Sequence, residues 1–257
     1  MQDQALPCYS RILKRLLAER PVLVETPSGN SILVLSPHPD DDLFACGGTL
    51  IKHRSHGHEI TSVYLTDGGK GGRVSGSNRQ LVSERESEAR AAGELIGVKR
   101  QIFLRHKDQE LEATSKTVTE VRSILNEVKP DLVYLPFVLD GIYHRDHMET
   151  NKILAKAAAG FEQQFTCCAY EVYSPLLPNT LVDITQEMHL KLAAIRRFET
   201  QLAVRNYLGA VVSLNRYRAL TFGDPGMKFM EAFFCAKQDA YIELLRFVLS
   251  GSDRWDE

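Results

Sequence analysis

Histidines and carboxylates gather in three short segments of the sequence, and together they can hold a divalent cation and move a proton. The first is Pro37-His38-Pro39-Asp40-Asp41-Asp42, which directly follows the apolar run Ser31–Ser36. An aspartate run is usually a solvated turn, but here three carboxylates crowd the mouth of a buried strand. They repel one another unless a cation or basic residues neutralise them. The second segment is Tyr143-His144-Arg145-Asp146-His147, whose two histidines lie on one side of a helical turn. The third is Thr66-Asp67-Gly68-Gly69. His38, Asp41 and His147 make a His/Asp/His shell. Three protein ligands with one open position suit a catalytic zinc ion, whereas structural zinc sites close with four. Iron or cobalt fits the same nitrogen and oxygen donors. Asp40 is then placed as general base toward a water whose pKa the cation lowers to about 7. His144 is placed to hydrogen-bond or protonate the developing oxyanion and the leaving group, with Asp146 orienting it. The plainer role for Asp146 is a helix N-cap. Asp42, farthest along the exit from the strand, is the most dispensable of the three aspartates.

Such residues need a scaffold that brings distant segments to one edge. Ser31–Ser36 and Glu59–Thr66 read as buried strands, Gln101–Leu104 as a short strand, and Asp131–Pro136 and Cys167–Tyr173 as two more. Between them helices are expected from about Phe44 to Gly57, over 79–96, over 114–128 and over 146–159. Pro130 stops the third of these. This alternation predicts an α/β fold with a mostly parallel sheet and helices on both faces. In such sheets ligands bind at the carboxyl ends of the strands, where all three polar segments fall. Ahead of the sheet, Tyr9–Arg20 reads as an amphipathic helix within an N-terminal helical extension, residues 1–30. After Pro178 the pattern loosens. Glu187–Val204 has helical periodicity and Tyr241–Leu249 reads as a terminal helix, while residues 205–228 read as loop. Residues 178–257 are therefore expected as a loop-rich lobe packed on the sheet, in one domain spanning residues 1–257.

Composition excludes several function classes. With 257 residues, 31 basic against 33 acidic side chains and 44% hydrophobic content, the chain is neither disordered nor fibrous. The net charge of −2 offers no global attraction to nucleic acid. No apolar run approaches the roughly 18 residues of a membrane span, and no secretory h-region precedes the first charges. The five cysteines are odd in number and scattered, and are expected as buried thiols in a reducing cytoplasm. Nothing here excludes a homo-oligomer.

The segment HPDDD, followed by ACGGTLIKHRSHGHEITSVYLTDG, resembles the opening of the LmbE/PIG-L-like family of metal-dependent de-N-acetylases. Arg85-Glu86-Ser87-Glu88-Ala89 with Leu95-Ile96-Gly97-Val98 is similar to that family's next helix, and His144-Arg145-Asp146-His147 to its His-Pro-Asp-His motif. Phe198-Glu199-Thr200-Gln201 and Glu231-Ala232-Phe233 resemble weaker C-terminal signatures, so the likeness spans about residues 31–235. It implies a Rossmann-like fold and zinc-dependent hydrolysis of an N-acetyl group on an N-acetylglucosamine-type sugar or glycoconjugate. It implies His38, Asp41 and His147 as ligands, Asp40 as base and His144 facing the tetrahedral intermediate. Arg85 and Asp108 resemble positions that contact sugar hydroxyls; their plain alternatives are a helix-surface ion pair and a loop turn. Two residues depart from the pattern. Asp42 stands for a glutamate, and Arg145 for a proline, where it loosens the loop or brings a cation toward an anionic substrate.

Other signals carry less. Gly68-Gly69-Lys70-Gly71-Gly72 lacks the spacing of a phosphate loop and reads as a flexible loop over the site. His53, His56 and His58 read as surface residues, and Arg216-Tyr217-Arg218 as a solvated basic turn. Two rival functions use the same edge: a metal-dependent phosphoesterase, for which a second metal shell is missing, and a catalytically silent glycan-binding protein.

Overall fold

The computed structural model describes residues 19–71 and 78–250. Eight strands form one sheet: β1 (Val22–Val24), β2 (Ser31–Ser36), β3 (Glu59–Thr66), β4 (Arg100–His106), β5 (Leu132–Pro136), β6 (Thr166–Tyr170), β7 (Thr180–Asp183) and β8 (Met230–Lys237). Their order across the sheet is β1-β7-β8-β6-β5-β2-β3-β4. All pairs are parallel except those of β8, which runs antiparallel to both β6 and β7. Side chains alternate between the two faces, as the pleat requires. Leu33, Leu35, Val63, Val133 and Leu135 enter one apolar core, while Ile32, Val34, Ile60, Leu132 and Tyr134 enter the other. Helices cover both faces, so the central strands β2 and β5 read as continuous apolar runs.

One face carries α1 (Asp41–Ser55), α2 (Asn78–Ile96) and α5 (Met188–Ile195). The other carries α3 (Ser115–Val128), α4 (Arg145–Ala157) and α8 (Gln238–Leu249). The short α6 (Glu199–Leu202) and α7 (Tyr207–Phe222) complete the α-helices among the described residues. Thr114 caps α3 by accepting from the Thr117 amide, and Lys129 closes it in a left-handed conformation just before Pro130.

The parallel sheet and its alternating helices stand as expected, with boundaries shifted by a few residues. Four expectations change. Residues 205–228 are not loop: α7 occupies 207–222, and the segment after Pro178 adds β7 and β8 to the same sheet. Within the extension 1–30, residues 22–24 form an edge strand instead of helix; the Tyr9–Arg20 helix falls, up to residue 18, outside the described residues. Cys168 and Cys235 are not free thiols. They face each other across β6 and β8 with sulfurs 2.01 Å apart in a disulfide, while Cys46 and Cys167 remain buried thiols. His53 is not on the surface. It is fully buried, with Nε2 2.8 Å from the Tyr134 hydroxyl and Nδ1 2.9 Å from His58 Nδ1. Among the described residues no helix is long and apolar enough to cross a membrane.

Candidate metal centre and its cleft

β2 ends at Ser36 and the chain turns directly into α1, so residues 37–42 sit on the carboxyl edge of the central strand. His38, Asp40, Asp41 and Asp42 are all buried there. β5 leads through a 3₁₀ turn, Val138–Ile142, to α4, whose first turn carries Asp146 and His147. The two segments meet. His38 Nδ1 lies 2.9 Å and His147 Nε2 3.4 Å from Asp41 Oδ2.

The far nitrogen of each imidazole faces carboxylates. His147 Nδ1 lies 2.6 Å from Asp140 Oδ2, and His38 Nε2 lies 3.3 Å from both Asp108 Oδ1 and Asp146 Oδ2. With protons on those far nitrogens, His38 Nδ1 and His147 Nε2 present lone pairs toward Asp41. His147 Nε2 is buried without a hydrogen-bond partner. An orphaned ring nitrogen, a second imidazole and a carboxylate converging in a buried site fit the donor chemistry of a zinc-type divalent ion. His38 also groups with His144 and His147, and with Asp108, His144 and Asp146, in ligand-compatible clusters.

The electrostatics agree. Burial alone would lower the His38 pKa, but the carboxylates of Asp41, Asp108 and Asp146 outweigh it and raise it well above the ordinary value. His147 is raised in the same way, against burial, by Asp41 and Asp140. Burial tends to raise Asp41, yet His147 and His38 hold it well below the usual carboxylate range. The site favours positive charge at its centre.

Asp40 precedes α1 and makes no side-chain cap. Its Oδ2 pairs with Arg85 Nη2 at 2.9 Å. Burial raises its pKa, and Arg85 opposes that rise. Arg85 is 3% exposed, so it is not a helix-surface ion pair. It reaches from α2, donates to the Gly68 carbonyl at 2.7 Å and leaves Nε buried without a partner. Asp108 is no plain turn residue either: Oδ2 accepts from the Lys70 amide at 2.9 Å, and burial notwithstanding, His38 brings its pKa down to about 2. His144 caps α4, with Nδ1 accepting from the Asp146 amide at 3.3 Å. Burial and the neighbouring imidazoles His38 and His147 lower its pKa.

Three roles shift. Asp146 does touch His144, but through its backbone amide; its carboxylate accepts from the amides of Gln109 at 2.7 Å and Leu111 at 3.3 Å, and faces His38. That carboxylate therefore pins the 108–111 loop. Asp42 is not dispensable to the packing. It is fully buried, accepts from Tyr64 Oη at 2.9 Å, and burial raises its pKa to about 7. Arg145 turns to Glu112 at 2.8 Å on the surface, and Arg218 is buried against Glu171, so neither basic residue stands free for substrate.

Two participants escaped the sequence reading. Asp140 is buried between His147 and the amides of Tyr173 and Ser174, at 2.9 and 2.8 Å. Tyr173 stacks on His144, with centroids 5.7 Å apart and planes 10° from parallel. Neither lies in a motif, and each reaches the site through a turn whose path is not visible in residue types.

The site opens into a cleft of about 1060 Å³. Its inner end holds His38, Asp40, Asp41, Arg85, Asp108 and His144. A bound cation, a base fixed by arginine and an imidazole facing the same space can hydrolyse a polarised carbonyl.

Comparisons with known proteins point the same way. The profile of PIG-L, the GlcNAc-PI de-N-acetylases, matches residues 33–158. The chain is 30% identical over 190 residues to a diacetylchitobiose deacetylase of Thermococcus kodakarensis, covering 66% of this chain and 69% of that protein. It is 26% identical over 191 residues to a probable N-acetyl-α-D-glucosaminyl L-malate deacetylase of Bacillus anthracis, covering 68% and 82%. In fold it is similar to the N,N'-diacetylchitobiose deacetylase of Pyrococcus horikoshii, with TM-score 0.73 and 24% identity over 89% of this chain and 91% of that one. It is also similar to a 4-carboxy-2-hydroxymuconate hydratase of Pseudomonas putida, with TM-score 0.70 and 22% identity over 80% and 96%. The fold therefore does not by itself name a reaction.

Proposed function

We infer the function from one premise: the chain belongs to the PIG-L family of GlcNAc-PI de-N-acetylases. It hydrolyses the N-acetyl group of an N-acetylglucosamine-type sugar or glycoconjugate, with zinc as its metal and as a single domain. The observation that carries this reading is the convergence of His38 Nδ1 and the unpartnered His147 Nε2 on Asp41, beside Asp40. A single sheet taking strands from residue 22 to residue 237 supports the domain reading.

His38, Asp41 and His147 would hold the ion. When bound, it supplies Lewis-acid polarisation of the acetamide carbonyl and acidifies a water. Asp40 removes the proton. Its Oδ2 is tied to Arg85, which leaves Oδ1 to face the water. Burial raises the basicity of this carboxylate, and Arg85 keeps it ionised enough to accept. The same Asp40 proton then passes to the leaving amine. His144, kept in one orientation by the Asp146 amide and by Tyr173, donates toward the oxyanion. Arg85 and Asp108, facing the cleft, offer hydrogen bonds to sugar hydroxyls.

The test is acetate release over a panel of N-acetylated sugars and glycosides. The purified protein is expected to carry about one zinc, to lose turnover on chelation and to regain it on zinc return. Asp40→Ala is expected to cut turnover by about 10²–10⁴. Acetate release that survives chelation would remove the metal from the mechanism. No release from any panel member would remove the activity.

A further inference from the structure

The cleft is larger and less polar than its inner end requires. At about 1060 Å³ it lies at the upper limit of small-molecule pockets, which run to about 1,000 Å³, so it has room beyond one sugar ring. Outside the polar end, one wall is the side of α7 carrying Tyr207, Ala210, Val211 and Leu214, at the i, i+3, i+4, i+7 spacing of a helical stripe. Val204 continues the wall before the helix. Phe44 joins it to the reactive end: it lies one turn past Asp40 on α1, and its ring is 5.1 Å from that of Tyr207. Asp40 is near enough to Tyr207 to raise its phenol pKa, second only to burial.

Part of this stripe helps to fasten the helix, since Val211 is buried in the core and Tyr207 packs against it. The other sides of α7 hold it too. Leu208 and Val212 pack into the core, Asn215 accepts from Lys191 at 3.1 Å, and Arg218 is locked to Glu171 and the Leu176 carbonyl. Two polar groups nearby are already engaged, while Arg205 also lines this part of the cleft. The Glu171 carboxylate takes Arg218 and the Leu176 amide, and the Asn206 side chain caps Gly209. The wall itself carries one hydroxyl, that of Tyr207, among apolar side chains, and an apolar chain laid along it would shed water from both surfaces. Ala210 is exposed and Tyr207 and Leu214 are half-buried, so these members of the stripe are open to the cleft.

We propose that the α7 wall is a subsite for an alkyl or aryl group of the substrate, carried beside the sugar whose N-acyl group the inner end hydrolyses. The inner-end assignment rests on the function proposed above; the wall rests on its own lining. An apolar group can belong to the aglycone or to the acyl chain, and products distinguish the two without turnover. Calorimetry of the zinc-loaded protein would compare hexyl with methyl 2-amino-2-deoxyglucoside, and hexanoate with acetate. In one of these pairs the six-carbon ligand is expected to bind at least about tenfold more tightly. Ala210→Asp, at an exposed position, and Leu214→Ser are each expected to bring that ratio toward one. The proposal is overturned if chain length changes affinity in neither pair, or if both variants keep the wild-type ratio. Acetate release is scored separately. A chain-length preference without acetate release would retain the subsite and reject the deacetylase reading, and the converse would do the opposite.

Discussion

The Asp140 carboxylate divides its two oxygens between the imidazole of His147 and the amides of residues 173 and 174. It thereby sets which His147 nitrogen is free and where Tyr173 stacks on His144. Carboxylates in this relation to a ligating histidine typically contribute 10–100-fold to metal affinity. Asp140→Ala is therefore expected to weaken zinc binding by about that factor in a chelator competition, while the retained Asp40–Arg85 pair keeps the base in place. An unchanged affinity would mean that Tyr173 and the helix turn alone hold the imidazole. At this scale the sequence was informative where chemistry is dense. The meeting of His38, Asp41 and His147 could be read because their strand-end placement brings them to one edge. Asp140 could not, since an isolated aspartate in a turn has no pattern. Asp146 was read as orienting His144, which it touches through its amide; that its carboxylate holds the 108–111 loop was not legible, because residue order does not say that this loop meets the start of α4.

α1 carries the aspartates, and it is not one straight rod. Cys46 leaves helical geometry at φ −126°, and the helix restarts with free amides at Gly48 and Thr49. Glu231 of β8 accepts both, at 2.8 and 2.7 Å, and its charge is balanced by fully buried Lys191 of α5 at 2.7 Å. One carboxylate thus caps an internal helix start and ties α1 to the antiparallel strand. Glu231→Gln would leave the lysine charge buried without its partner. Unfolding in urea is expected to show a loss of about 3–5 kcal/mol, the range for breaking a buried pair from one side. A loss below about 1 kcal/mol would mean that Lys191 finds enough compensation at Asn215. Elements with a clear period were legible from sequence alone, α3 and α4 among them. α7 was not, because apolar residues also lie outside its Tyr207–Leu214 stripe, so the stripe does not stand out in the sequence. β1 was missed because three residues between loops carry too little pattern to separate from coil.

For the molecule as a whole, His53 makes acid a liability. Burial, then His58 and His56, bring its folded-state pKa down to about 3 from the ordinary 6.5. Above about pH 6.5 the imidazole is neutral in folded and unfolded chains alike, and its packing against Tyr134 carries no proton penalty. As the pH falls from about 6.5 toward 3, the unfolded chain takes up a proton that the folded chain refuses, so stability falls. The slope from this residue approaches about 1.4 kcal/mol per pH unit. Urea midpoints of the wild type are expected to fall more steeply between pH 7 and 5 than those of His53→Gln; equal slopes would refute the assignment. Composition described a near-neutral folded chain, but it was silent on where its histidines sit. The sheet also has an order in space that differs from its order in time. Val22 pairs with Thr180, so β1 leaves the ribosome long before its one neighbour among the described strands exists. At about 5–20 residues per second that wait is roughly ten to thirty seconds. β2 and β5, whose ends lead to His38, Asp41 and His147, can pair during it, while β1, with Val22 58% and Leu23 42% exposed even when paired, has no sheet to join until β7 is made.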